Sequence, residues 1–376
     1  MFVFMKHETS ILYIMGIQWN WIKQRPHFIA EGLAERYNLV TLSKKEMNRR
    51  NDENKTHVNV VYPVRLPLER NKLIKTINDF VYKLYLAYYL KRSKYLWICA
   101  PNEFSEYALS KCTKSHIVIY DCMDDMLAFP SKIDLEATKR RESELIKRSD
   151  IIFCSASHLV EKLRSRYHTD REFVLLNNAL SINNSEYVSI EEARIIEPEY
   201  FNSKNFKLCY IGTVADWLDF SLVEDALKEI PSLEVHLWGP YNKKDEEKWS
   251  DERIFFHGPV DHKYVKPIMD ASDALIMPFV LNELILSVNP VKLYEYIYSG
   301  KPNLAPKYGE SMPFRSHTYL YENKADCIAE LKRIVDGKPT INKTKSSCEA
   351  FVKDNTWEKR MNVVFEKLEN YNNGKL

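Results

Sequence analysis

Residues 11–30 read Ile11-Leu-Tyr-Ile-Met-Gly16-Ile-Gln-Trp-Asn-Trp-Ile-Lys-Gln-Arg25-Pro-His-Phe-Ile-Ala30: an apolar run, a glycine at the turn, then the opening of a helix. A strand that turns at a glycine into a helix is the first unit of a doubly wound parallel sheet, whose ligands bind at the strand carboxyl ends. Similar β-rich runs recur at Val58–Val61, Leu96–Cys99, Ile117–Tyr120, Ile151–Cys154 and Phe173–Leu176. A second series follows at Lys207–Ile211, Leu233–Trp238, Ile254–His257 and Ala274–Met277, with room for a crossover helix between neighbours. The alternation predicts an α/β protein built from two Rossmann-like, doubly wound domains.

Length agrees, because 376 residues exceed the size at which one core keeps growing. The polar, acid-rich stretch between the two series places a linker at 183–204, an N-terminal domain at 1–182 and a C-terminal domain at 205–355. The last helix, 356–372, spaces Trp357, Met361, Val364 and Leu368 along one face and needs a groove, for which the N-terminal domain is the candidate. With 45% hydrophobic and 28% charged residues and no apolar run near the ~18 residues of a membrane span, the chain reads as soluble or peripheral. The opening MFVFMKHETS is too short, and charged too late, for a signal peptide, so a cytoplasmic chain is expected. Seven cysteines include no C-x-x-C pair, and all are expected to be structural thiols. A net charge of +2 gives no global field for nucleic acid, and none is expected as a partner.

The segment richest in chemistry is Ser287-Val-Asn-Pro-Val-Lys-Leu-Tyr-Glu-Tyr-Ile-Tyr-Ser-Gly-Lys-Pro302. Pro290 can open a helix, where its missing N–H is harmless, and Gly300 can end it. Free N–H groups at such a terminus, the helix dipole and Lys292 in the first turn make a diphosphate site. Glu295, one turn after Val291, could reach a ribose hydroxyl of the same nucleotide. An amphipathic helix with a solvated lysine and glutamate has the same spacing.

On these residues the chain resembles the C-terminal domain of GT-B glycosyltransferases of the large retaining family 4, especially the bacterial members that build teichuronic acids, capsules and O-antigens. The resemblance implies two domains facing a cleft, with Glu295 as the second, ribose-holding glutamate of a Glu-x7-Glu element whose first position is Ser287. It assigns Asn289, Val291 and Lys292 to the donor segment, Gly212 and Thr213 to a turn against the phosphates, and His257-Gly-Pro-Val260 to the base. Pro278-Phe279 is then at the cleft edge. The family's Arg and Lys near that turn are missing, and Lys292 is expected to replace them. The implied donor is a UDP- or GDP-linked sugar, with no further cofactor. The implied acceptor is an oligosaccharide or lipid-linked saccharide.

In the N-terminal half, Gly16 at the strand-to-helix turn is a candidate donor contact, and the Gln24-Arg25-Pro26-His27 string resembles the same subgroup. Arg25 faces either an anion, diphosphate or acidic acceptor, or a surface carboxylate. Tyr120-Asp-Cys-Met-Asp-Asp125 puts Asp121, Asp124 and Asp125 at the carboxyl edge of the sheet, as candidates for a base or an orienting group; helix capping by Asp124 or Asp125 is the other reading. Their spacing is not Asp-x-Asp, and no metal is expected. Retaining members are thought to let the leaving diphosphate help deprotonate the acceptor, which leaves positioning and charge neutralisation to the enzyme.

Leu73, Ile77, Phe80, Val81, Leu84 and Tyr88 lie at helical spacing amid Lys72, Lys75, Lys83, Lys91, Arg92 and Lys94. This pattern suits either an anionic membrane surface or a buried amphipathic helix with a basic edge. Two rival functions share the fold: a GT-B-type sugar-nucleotide epimerase and a non-catalytic sugar-nucleotide-binding subunit. No Gly-x-Gly-x-x-Gly follows Ile11–Met15, and nine glycines in all argue against a dehydrogenase.

Overall fold

The computed structural model describes residues 10–20, 23–43, 57–129, 134–181, 187–247, 249 and 251–374; the opening segment 1–9 and linker positions 183–186 lie outside these. The chain forms two compact units, residues 1–178 with 357–376, and residues 179–356. The first contains β1 (Ser10–Ile14), α1 (Arg25–Ala34), β2 (Asn38–Leu42), β3 (Asn59–Val61), α2 (Lys72–Leu90), β4 (Tyr95–Ile98), α3 (Glu103–Lys111), β5 (Ile117–Cys122), α4 (Leu135–Arg148), β6 (Ile151–Cys154), α5 (Ser157–Tyr167) and β7 (Val174–Leu175). The second contains α6 (Ile190–Ile196), α7 (Pro198–Asn202), β8 (Phe206–Ile211), α8 (Phe220–Glu229), β9 (Leu233–Trp238), α9 (Lys243–Glu246), β10 (Ile254–Gly258), α10 (His262–Ala271), β11 (Ala274–Ile276), α11 (Val291–Ser299), β12 (Asn303–Pro306), β13 (Tyr319–Tyr321), α12 (Lys324–Val335) and α13 (Lys345–Asp354). The chain then returns to the first unit as α14 (Trp357–Asn372).

Each unit is a parallel sheet, in the order β3-β2-β1-β4-β5-β6-β7 and β10-β9-β8-β11-β12-β13. Both orders reverse direction beside their first strand, between β1 and β4 and between β8 and β11, which creates the crevice where such sheets take ligands. Predominantly apolar strands explain the parallel arrangement: all residues of β4, β5, β6, β9 and β11 are buried, as needed when helices cover both faces of a sheet. Among the described residues no helix is long and apolar enough to cross a membrane.

Three strands escape the sequence reading. Asn38–Leu42 follows α1 after only a few residues and looks like its continuation, while Asn303–Pro306 and Tyr319–Tyr321 are too short to show a period. The segment expected as a linker carries α6 and α7 from residue 190 onward. Two buried side chains anchor it: Ala193 of α6, which packs on α10, and Tyr200, whose hydroxyl lies 2.8 Å from both the Ile268 carbonyl and the Ser272 hydroxyl. Two buried side chains in a charged stretch leave no periodicity to read.

Helix α14 packs on α1. Trp357, Met361, Val364, Phe365 and Leu368 are buried along one face, each side chain contributing about 1.5–3 kcal/mol relative to exposure. Gly32 of α1 lets the helices approach, since a Cβ there would lie 2.5 Å from Met361 Cγ. Trp357 stacks on Phe28 at 5.1 Å, and the Arg36 guanidinium covers Phe365 at 3.9 Å. Leu368→Ala should therefore lower the unfolding free energy of the first unit by about 2–5 kcal/mol in urea titrations, whereas Glu366→Ala, on the exposed face, should change it by less than about 0.5 kcal/mol.

Candidate donor site and carboxylate cluster

In the second unit the carboxyl edge is organised by glycines. Gly212 ends β8 with φ +149° and Gly239 ends β9 with φ +137°. A Cβ on Gly239 would lie 2.2 Å from the Gly212 carbonyl oxygen, so the two turns meet backbone to backbone. The Gly212 N–H donates to the Trp238 carbonyl at 2.7 Å and the Gly239 N–H to the Gly258 carbonyl at 2.8 Å, which ties the ends of three adjacent strands into one surface.

Lys292 lies on that surface. A Cβ on Gly212 would be 2.3 Å from Lys292 Cε, so the glycine is the space the lysine occupies. The Nζ sits 5.6 Å from the Tyr210 ring centroid and 5.7 Å from that of Phe279. Aromatic faces hold an ammonium without neutralising it. Among the described residues no carboxylate reaches Lys292 within ion-pair distance, and burial pulls its pKa down while Glu295 pulls it back up. The α11 N-terminus at Pro290 has no side-chain cap. A cation, an uncapped helix terminus and backbone at a glycine turn thus converge at one place, the physical requirement for an anion.

Glu295 follows one turn later on the same side of α11, half-buried. Burial raises its carboxyl pKa, opposed by His262 and Lys292. The other expected donor residues divide. Thr213 is exposed and its carbonyl accepts from the Tyr210 hydroxyl at 2.9 Å; Val291 is exposed in the first turn of α11. Ser287 is fully buried and donates to the Glu283 carbonyl at 3.2 Å, and Asn289 is buried with Oδ1 accepting from Tyr294 at 3.3 Å, so these two side chains build the loop ahead of the helix. Val260 is half-buried against the core.

The turn before Val260 is held by a feature the sequence reading missed. His257 stacks on Trp238 at 3.8 Å between centroids and its ring nitrogen lies 3.0 Å from that of His236. Burial pushes the His257 pKa down to about 3 and that of His236 to about 4, so both rings stay neutral and their bond persists at ordinary pH. Alternate inward positions of β9 and the end of β10 carried these histidines, but pairing across strands has no local signal. Gly239 was findable: Trp238-Gly239-Pro240 repeats the strand-then-glycine punctuation of Ile211-Gly212.

At the carboxyl edge of the first unit, Gly16 again permits close approach, since a Cβ there would lie 2.8 Å from Ala100 Cβ. Arg25 and Asp121 are both buried and paired, with Nη2 2.7 Å from Oδ1 and Nε 3.2 Å from both oxygens. Arg25 Nη1 also donates to the Leu176 carbonyl at 2.6 Å. Between the anion and the carboxylate left open for Arg25, the structure gives a carboxylate, and an interior rather than a surface one. Asp125 is engaged by Lys162 at 3.0 Å and Arg166 at 2.7 Å, which hold its pKa down against burial. Asp124 differs. It is half-buried, has no hydrogen bond or ion pair from its carboxylate among the described residues, and burial with help from Asp121 and Asp125 pushes its pKa up to about 7 against the opposing Arg25. Such a carboxyl can take or give a proton near neutrality.

Two parallel sheets with these orders and glycine turns define the GT-B fold. Solved structures share it along nearly the whole chain. HepE of Anabaena, solved in complex with UDP and glucose, matches with a TM-score of 0.72 at 14% identity over 96% of this chain and 100% of that one. Sucrose-phosphate synthase from Thermosynechococcus elongatus matches with a TM-score of 0.73 at 14% identity over 97% and 100%. In sequence, the chain is similar to TuaH of Bacillus subtilis (strain 168), provisionally assigned as a teichuronic acid biosynthesis glycosyltransferase, at 27% identity over 242 residues, 58% of each protein. The match therefore spans less than two thirds of that relative. No family model matches the chain.

Two outcomes follow from the first unit's electrostatics. Asp121→Asn leaves Arg25 buried without its counter-charge and should destabilise the unit by about 3–5 kcal/mol in chemical denaturation. Asp124 behaves oppositely. Its folded pKa lies above the unfolded value of 3.8, so ionisation opposes folding as pH rises from about 4 through 7. Asp124→Asn should raise the melting temperature at pH 8, with the gain vanishing toward pH 4 in a scanning-calorimetry series.

Proposed function

We propose that the chain is a glycosyltransferase that moves a sugar from a UDP-linked donor to a saccharide acceptor in bacterial surface-polysaccharide synthesis. The observation that carries this reading is Lys292: an ammonium without a carboxylate partner, held on aromatic faces above Gly212 at an uncapped helix terminus. The UDP in the HepE complex and the polymer role assigned to TuaH support the choice of donor and pathway class.

The donor diphosphate takes the place of the missing counter-ion, between Lys292 and the first turn of α11, and Glu295 accepts from the ribose hydroxyls. The turn at Gly258–Val260, stiffened by the histidine pair, offers backbone groups to the base. As the sugar–phosphate bond breaks, charge grows on the leaving diphosphate, and Lys292 with the helix dipole stabilises it more in the transition state than in the ground state. The reaction retains configuration, with the departing phosphate helping to accept the acceptor's proton. In the first unit, Asp124 is the candidate catalytic carboxyl. The acceptor is lipid-linked, and the enzyme works peripherally at the inner face of the plasma membrane.

Loss of one charge-assisted contact costs about 1.5–3 kcal/mol, so Lys292→Ala should weaken UDP binding by about 10- to 100-fold in titration calorimetry. Gly212→Ala should do the same by displacing the lysine. Because burial lowers the Lys292 pKa from 10.5 and a diphosphate would raise it, binding takes up a proton and UDP affinity should fall as pH rises through the lowered pKa. Unchanged affinity in both variants would remove the assignment.

A further inference from the structure

Helix α2 has an inverted surface. Of its 19 residues only Asn78, Leu86 and Leu90 are buried, while its crest is a stripe of apolar side chains four, three, four and four residues apart: Leu73 (69% exposed), Ile77, Phe80 (60%), Leu84 (51%) and Tyr88. A helix on a protein surface ordinarily shows water its polar face. The preceding loop extends the stripe with Tyr62, Val64, Leu66 and Leu68, the last 76% exposed.

This exposure is built into the fold. The buried Asn78 side chain clamps the loop, its Oδ1 accepting from the Leu66 N–H at 2.8 Å and its Nδ2 donating to the Leu66 carbonyl at 3.0 Å and to Glu69 at 3.2 Å. Leu68 is held at φ +69°, a conformation leucine avoids, with its side chain outward.

The charges around the stripe are predominantly positive. Glu69 is paired with Arg65, and Asp79 and Glu103 share Lys75 at 2.5 and 3.6 Å, which offsets part of the nearby acid charge. Among the described residues Arg70, Lys72 and Lys91 have no acidic partner, Lys83 lies over the Tyr107 ring at 5.7 Å, and the Arg92 guanidinium stacks on Tyr88 at 3.7 Å. A second copy of the same face would bring these cations together, whereas anionic headgroups complement them and the acyl boundary takes the apolar crest.

We infer that the face formed by α2 and the loop 62–70 docks on an anionic lipid bilayer, with the crest side chains entering the interface. This deepens the membrane-side reading given above and rests on it for its biological sense, while the donor site is independent of it.

The test is flotation of the full chain with phosphatidylcholine vesicles containing about one third phosphatidylglycerol, against phosphatidylcholine alone, with UDP affinity measured in parallel. The protein should float with the anionic vesicles only and release as salt is raised. The triple variant Leu73→Glu, Phe80→Glu, Leu84→Glu should lose at least tenfold of the bound fraction with unchanged UDP affinity, which also verifies its fold. Absence of wild-type flotation, equal flotation of the variant, or a solution dimer that the variant dissolves would overturn the inference. Flotation without UDP binding would instead remove the donor reading and leave the surface standing.

Discussion

The contact on which the second unit's chemistry depends is the meeting of two turns, Gly212 and Gly239: the Gly212 carbonyl leaves no room for a side chain on Gly239, and the Lys292 amine leaves none on Gly212. It brings the carboxyl ends of β8 and β9 together and leaves the volume above Gly212 for Lys292. The consequence is electrostatic. Burial lowers the pKa of a lysine placed on aromatic rings over bare backbone, so its charged form is costly until an anion arrives. A larger residue at either glycine would separate the strands or evict the amine.

The two units share a strand order but treat their carboxyl edges differently. In the first, the positive and negative groups satisfy one another: Arg25 with Asp121, Asp125 with Lys162 and Arg166. What remains is the uncommitted carboxyl of Asp124. In the second, Lys292 and Glu295 stand on neighbouring positions of one helix with no such closure. Breaking an interior charge pair strands a buried charge at high cost, so a sheet edge with closed pairs holds its charges in place, and one with open charges is suited to a charged ligand.

Much was legible in the sequence. The recurring apolar runs give two parallel sheets, because a strand covered on both faces by helices is mostly apolar, and this is visible without knowing its neighbours. The Pro290-to-Gly300 helix was legible for a similar reason: its start and stop are set by local backbone chemistry, and Lys292 and Glu295 take their places from the period alone. The face of the last helix was likewise written in the spacing of Trp357, Met361, Val364 and Leu368.

Tertiary structure decided what depends on residues far apart in the chain. Arg25 and Asp121 are 96 positions apart, and nothing near either one says which of several carboxylates the guanidinium meets. The same holds for the bond between His236 and His257, and for the fold of the segment read as a linker, where buried Ala193 and Tyr200 outweigh a polar composition. Where a segment has a clear period or local start and stop signals, these fix what it becomes, because those energies belong to neighbouring residues. Which charges are neutralised and which are left open for a ligand is settled only when the sheets assemble, because pairing and desolvation are properties of the packed interior.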